Sequence, residues 1–227
     1  MNAANIFRYE RKFLVKDLHE HSLDKIIRLN TMNFNTLYPP RKVNNIYFDS
    51  IQMKCFHDNV EGIANREKVR IRWYGNRYGH ITNPILEIKI RKNSVGTKEF
   101  YPLLPFELKN STTSNCIKNI ITKSEIPQII KERVLPLTPK LLNGYSRKYY
   151  TSFDKRFRIT FDNDLFYAKT RTMNILTNET LLDLKSKVIE IKYDVKDDLD
   201  IDAITRQFNF RMTKNSKYVT GIYALYY

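Results

Sequence analysis

A chain of 227 residues can bury one sizeable core, and its 42% hydrophobic and 13% aromatic content excludes intrinsic disorder. The 39 Lys and Arg against 24 Asp and Glu leave a formal net charge of +15, so a polyanionic partner is expected: nucleic acid, anionic membrane or polyphosphate. Cys55 and Cys116 are too few for a disulfide framework and form no metal-like pair. With no signal-peptide core and no membrane-length apolar run, a soluble, cytoplasmic protein is expected.

The dominant pattern is period-two alternation. Residues 7–15, FRYERKFLV, set Arg8, Glu10 and Lys12 against Phe7, Tyr9 and Phe13. A shorter strand, VNNIYFDS, follows at 43–50. REKVRIRWYG (66–75) places Arg66, Lys68, Arg70 and Arg72 on one face, with Val69, Ile71 and Trp73 on the other. ILEIKIRK (85–92) sets Glu87, Lys89 and Arg91 against Leu86, Ile88 and Ile90. TKEFYPL (97–103) carries Lys98, and YSRKYYTSF (145–153) puts Arg147 and Tyr149 together. RFRITFDN (156–163) sets Arg156, Arg158, Thr160 and Asp162 against Phe157, Ile159 and Phe161. KVIEIKYD (187–194) sets Glu190 and Lys192 against Ile189, Ile191 and Tyr193. The β-branched and aromatic content of these runs is that of strands.

Three helical regions are expected between them. Ser22 or Asp24 would cap LDKIIRLN; SNCIKNIITKSEIPQIIKERV reads as two helices broken at Pro127; DIDAITRQF is the third. An antiparallel sheet with a few inserted helices defines an α+β domain.

For any one strand the plain reading of a charged face is a wet surface. Taken together, the faces are mostly cationic with single carboxylates set among them (Glu10, Glu87 and Glu190). A wet face would mix signs to relieve cross-strand repulsion. The alternative is a closed antiparallel barrel with its charges pointing inward, which is tolerable only around a bound polyanion and metal. A lone carboxylate among cations could hold a divalent ion that bridges phosphate oxygens, or could simply make a salt bridge. His19, His21, His57 and His80 fall outside the alternating faces and read as surface residues.

FRYERKFLV, NNIYFDS, KVRIRWYG, ILEIKIRK, FRITFDNDL, VIEIKYD and NSKYVTGI resemble, in order and approximate spacing, the VTC domain. This is the catalytic domain of the vacuolar transporter chaperone polyphosphate polymerase, in the triphosphate tunnel metalloenzyme superfamily. The resemblance spans Phe7 to about Ile222 and implies one domain over residues 1–227, with the form of a stand-alone bacterial member. The implied fold is a closed eight-stranded antiparallel barrel with helices packed outside. The implied activity is metal-dependent transfer of the γ-phosphate of ATP to inorganic polyphosphate, with manganese or magnesium as cofactor.

The resemblance assigns Lys12, Arg70, Arg72, Lys89, Arg147, Arg158 and Lys217 to the catalytic lining. Arg66, Lys98, Tyr149, Lys192 and Ser216 would bind substrate. Glu190, with Glu10 and Glu87, would hold metal. Partners would be ATP and polyphosphate; nucleic acid and a transmembrane segment are not expected. No counterpart of the fungal enzyme's sensing region or membrane helices is expected either. Two alternatives share these residues: a tripolyphosphatase of the same fold, and a binding protein without catalysis, for polyphosphate or for nucleic acid. Trp73, Phe157 and Phe161 alternate away from the cations, which argues against stacking platforms for single-stranded nucleic acid.

Overall fold

The computed structural model describes residues 8–92 and 95–227. Phe7, the expected start of the first strand, lies outside the described residues with residues 1–6, as does the Arg8 side chain. The strands are β1 (Arg8–Val15), β2 (Asn35–Asp49), β3 (Asn65–Tyr74), β4 (Gly79–Ile81), β5 (Ile85–Lys92), β6 (Val95–Pro102), β7 (Phe106–Leu108), β8 (Thr138–Thr151), β9 (Arg158–Lys169), β10 (Thr180–Asp183) and β11 (Lys187–Asp194). The helices are α1 (Glu20–Arg28), α2 (Lys54–Val60), α3 (Ser114–Lys123), α4 (Gln128–Val134), α5 (Ile201–Arg206) and α6 (Lys217–Tyr226). Among the described residues this is an α+β fold with one large antiparallel sheet and six helices. No helix among them is long and apolar enough to cross a membrane.

Every alternating run becomes a strand, and Pro127 does separate two helices, standing at the N-cap of α4. Other elements were not expected. The exposed front half of β2 contains Pro39 and Pro40, which mask it as a strand; α2, α6 and the short strands β4, β7 and β10 lack a strong periodic signal. Helix α1 begins earlier than expected, with His19 at its N-cap, and Asp24 bonds Arg28 and Tyr150 instead of capping.

Hydrogen-bonded neighbours run in the order β1-β11-β9-β8-β2-β3-β5-β6, with β10 on β9 and a separate β4-β7 pair. The α+β antiparallel sheet is as expected, but closure of the barrel is not confirmed: β1 and β6 end this path, and among the described residues no ladder joins them. The outer edge of β1 is occupied by a non-strand segment. Thr213 N–H donates to the Lys12 carbonyl at 2.8 Å, and Leu14 N–H donates to Thr213 Oγ1 at 3.2 Å. Those contacts satisfy backbone groups that a further strand on this edge would need.

The chain divides into two compact units. The first comprises residues up to Arg41, Tyr145–Leu165 and Asp183–Asn215; the second comprises Lys42–Gly144, Phe166–Leu182 and Ser216–Tyr227. In the first, Phe13, Phe157, Ile159, Phe161, Ile189 and Ile191 pack with Leu23 and Ile27 of α1 and Ile201 and Ile204 of α5. In the second, Val69, Ile71, Trp73, Leu86 and Ile88 pack with Ile117 and Ile121 of α3 and Ile130 and Val134 of α4. The apolar half of each alternation is therefore core, as the sequence pattern requires.

Asp164 interrupts this phase within β9. It has φ of 50°, and beyond it both parities are buried: Phe166 and Ala168 join the core of the second unit, and Leu165 and Tyr167 are buried as well.

Gly221 of α6 lies against Leu141 and Tyr167. A Cβ there would meet Leu141 Cδ2 and Tyr167 Cδ1, each at 2.6 Å, and both side chains are buried. Gly→Ala in a helix ordinarily stabilises by up to about 1 kcal/mol. Here overpacking should reverse the sign, and Gly221→Ala is expected to lower the urea midpoint, with a loss of about 1–3 kcal/mol.

Candidate functional site

In the second unit, β3 pairs with β5, and β5 with β6. The register sets Arg70 opposite Glu87, Lys68 opposite Lys89, Arg66 opposite Arg91, and Lys89 opposite Lys98. Residues directly opposite on antiparallel strands share a face, so these cations lie on the side away from Val69, Ile71 and Trp73. At the centre is Glu87, 1% exposed; its Oε2 accepts from Arg70 Nη2 at 2.8 Å and lies 2.9 Å from Arg72 Nη1. Burial alone would raise its pKa, but the charges of Arg70, Arg72 and Lys98 outweigh burial and hold it down to about 2.

The arginines have further supports. Arg70 Nη1 donates to Tyr47 Oη at 3.1 Å, and the Arg72 guanidinium lies over the rings of Tyr74 and Phe100 at 5.6 and 5.9 Å. Lys68 Nζ donates to Ser216 Oγ at 2.9 Å, and the same hydroxyl oxygen accepts from Val219 N–H as the N-cap of α6. Lys217 is the first residue of that helix. Arg66 turns toward the strand end and donates to the Ile63 carbonyl. Burial and the neighbouring Arg91 lower its pKa.

In the first unit, Lys12 stands opposite Glu190, Glu10 opposite Lys192, Glu190 opposite Thr160, and Lys192 opposite Arg158. Glu190 Oε1 lies 2.7 Å from Lys192 Nζ, and its Oε2 lies 3.7 Å from Lys12 Nζ, which is 2.9 Å from Glu10. Burial opposes ionisation of Glu190, but Lys192, Lys12 and Arg147 together hold its pKa well below the usual carboxylate range. Arg147 is clamped by Asp162 through a fork, Nε at 2.5 Å and Nη2 at 2.7 Å. Arg158 is exposed on the same face. Tyr149 stands apart, edge-on to Tyr38 at 5.7 Å with Arg41 over both rings.

The structure thus brings together Glu10, Lys12, Arg147, Arg158, Glu190 and Lys192 in one unit, and Lys68, Arg70, Arg72, Glu87, Lys89, Lys98 and Ser216 in the other. All four histidines are exposed and outside these groups. Sequence reasoning misses two participants. Asp162 was placed on the charged face but not seen as the Arg147 clamp. Tyr47 lies in the NNIYFDS strand, and its phenol next to a cationic strand is the available signal.

Among the described residues no group of three or more His, Cys, Asp or Glu forms a metal cluster. The donor chemistry still separates the expected carboxylates. Glu10 and Glu190 both approach the Lys12 ammonium, so the space between them already favours a cation. Mg2+ typically takes one or two protein carboxylates and completes its shell with substrate phosphates and water, so this pair fits. Glu87 is sealed beneath two guanidinium groups, and the geometry gives it the part of their counter-ion.

Glu87 also carries a pH dependence. Its folded pKa of about 2 lies below the ordinary 4.5, so the stabilisation is complete above pH 4.5 and lost as pH falls through 2. Glu87→Gln should flatten that limb of the pH–stability curve in chemical denaturation. At neutral pH it should cost about 3–5 kcal/mol, the usual penalty for removing one partner of a buried pair.

Comparison with known proteins places this geometry. No curated protein matches the chain in sequence. A candidate adenylate cyclase from Vibrio parahaemolyticus superposes with a TM-score of 0.52 at 10% identity, over 94% of this chain and 97% of that one. A protein from Pyrococcus horikoshii superposes with a TM-score of 0.50 at 12% identity, over 93% and 97%. At these identities the likeness is one of fold. The sequence pattern of the VTC domain matches residues 7–226, and with almost nothing left outside that match, the chain belongs to the VTC domain family.

Proposed function

We propose that the protein is a metal-dependent polyphosphate polymerase, an ATP:polyphosphate phosphotransferase working in a cationic tunnel, with the whole chain as one VTC-type domain. The observation that carries this reading is an excess of charge. Lys68, Arg70, Arg72, Lys89 and Lys98 share a face with two buried carboxylates, Glu87 and Asp49, so the cations outnumber the acids. Crowding like charges costs energy unless something strongly negative offsets it. A linear phosphate chain supplies closely spaced negative charge at the same faces.

In the reaction, a terminal oxygen of the polyphosphate attacks the γ-phosphorus of ATP. The bond from that phosphorus to its bridging oxygen breaks, and ADP leaves with the electron pair. Such a transfer asks for alignment and charge neutralisation, with little covalent help from the protein. Arg70, Arg72 and Arg147 present fork-shaped donors to phosphate oxygens, while Lys12, Lys89, Lys98, Lys192 and Lys217 act as compact charges. Arg158 and Arg66 extend the lining, and Ser216 and Tyr149 add hydroxyl groups. Mn2+ or Mg2+, held by Glu190 and Glu10, would neutralise phosphate charge as Lewis acid.

Purified protein incubated with ATP and Mn2+ is expected to produce ADP and long-chain polyphosphate, resolved by gel electrophoresis. Orthophosphate as the sole phosphate product would overturn the polymerase and identify the tripolyphosphatase. Removing the metal by chelation should stop turnover. Glu190→Ala should stop it too, while leaving binding of tripolyphosphate measurable by calorimetry.

A further inference from the structure

The second unit contains a buried acid that the reaction does not use. Asp49 is 0% exposed, yet both its oxygens are fully engaged. Oδ1 accepts from Ser50 N–H at 2.7 Å and Cys55 N–H at 2.8 Å; Oδ2 accepts from Phe56 N–H at 2.9 Å and from the Tyr218 hydroxyl at 2.6 Å. Three of these donors are backbone groups, and the fourth is the only side chain. Desolvation comes first among the causes that push the Tyr218 hydroxyl pKa upward, followed by the charge of Asp49, so this phenol stays protonated as a donor.

Tyr218 is itself 1% exposed and stacks on Tyr47 with ring centroids 5.1 Å apart and planes at 28°. Tyr47 and Asp49 are two residues apart on β2, so their side chains project from the same face of the strand. The hydroxyl of Tyr47 accepts from Arg70 Nη1, whose guanidinium lies 5.8 Å from the ring centroid. The other arm of the guanidinium is on Glu87. Arg70 therefore rests between a carboxylate and a phenol, and the phenol rests on a ring whose position is set by Asp49.

We propose that Asp49 and Tyr218 are positioning residues for Arg70: the buried Asp49–Tyr218 hydrogen bond fixes the ring of Tyr218, that ring fixes Tyr47, and Tyr47 fixes the plane of the Arg70 guanidinium. The neutral support matters as much as the rigid one. A second carboxylate in place of Tyr47 would cancel the charge that a phosphate needs, whereas a phenol oxygen orients the fork and leaves it cationic. This assignment rests on the phosphoryl-transfer reading of the site, in which Arg70 contacts phosphate.

The test is Tyr218→Phe, which keeps the ring and removes only the bond to Asp49, with circular dichroism to establish that the variant folds. A guanidinium displaced by a fraction of an ångström should lower kcat/KM for ATP about tenfold, since a 1 Å misplacement can cost about a hundredfold. In an Arg70→Gln background the same substitution should add nothing; equal losses in both backgrounds would overturn the proposal, since they signal a general structural effect. A second readout needs no turnover. The Arg70 side-chain N–H resonance, assigned by its disappearance in Arg70→Lys, should shift in Tyr218→Phe, and an unmoved resonance would overturn the proposal. If the unsubstituted protein neither turns over ATP nor binds tripolyphosphate, the functional reading falls, and the resonance alone decides the positioning.

Discussion

Removing a carboxylate from water is the constraint around which each charged face is arranged. Glu87 and Glu190 are buried and ionised, a state that survives only because cations stand within contact distance. The dependence is mutual. A lysine or arginine on a wet surface samples many rotamers and would lose that freedom on binding phosphate. Arg70 and Arg72 lose it during folding instead, by closing on Glu87. Their forks are then preorganised, and a ligand that meets them bears less of the ordering cost.

This arrangement holds only if the strand register holds. A slip by one residue between β3 and β5 would send Arg70 and Arg72 to the core face and bring Ile71 and Trp73 out. The apolar side of the same strands resists that slip. Val69, Ile71, Leu86 and Ile88 are all fully buried, and exposing even one such side chain costs about 1.5–3 kcal/mol. The core thus sets the register, and the register sets which cations can reach Glu87.

Alternation made the cationic faces legible because parity is a local property: one strand, read alone, assigns Arg70 and Arg72 to one side. Partnership is not local. The LEIK and IEIK segments look alike, yet Glu87 meets two arginines from the neighbouring strand, whereas Glu190 meets Lys12 across β1 and Lys192 from its own strand. Tyr218 and Asp49 are 169 residues apart in sequence, and no periodicity connects them. Asp164 shows a further limit: one left-handed residue interrupts β9, and both parities are buried after it, so a rule read from residues 156–163 fails beyond it. Closure is not legible in the sequence for a similar reason. Whether an edge strand finds a further strand or a loop depends on chain that is remote in sequence, here Met212 and Thr213 against β1.

The two faces also differ in the carboxylates set among their cations, and that difference bears on the polymerase reading. In the first unit, Lys12, Lys192, Arg147 and Arg158 stand with Glu10, Glu190 and Asp162, so cations and carboxylates nearly balance. In the second unit, Glu87 stands among the cations of β3, β5 and β6, and Asp49 of β2 is held by backbone N–H groups and the Tyr218 hydroxyl. A nearly balanced face binds polyphosphate weakly by itself, but its clustered oxygens suit a divalent ion, which tips the balance toward positive. A strongly cationic face needs no such help. Metal dependence would then originate at Glu10 and Glu190, and grip on the phosphate chain at Arg70 and Arg72; the same total charge spread evenly would do neither as well.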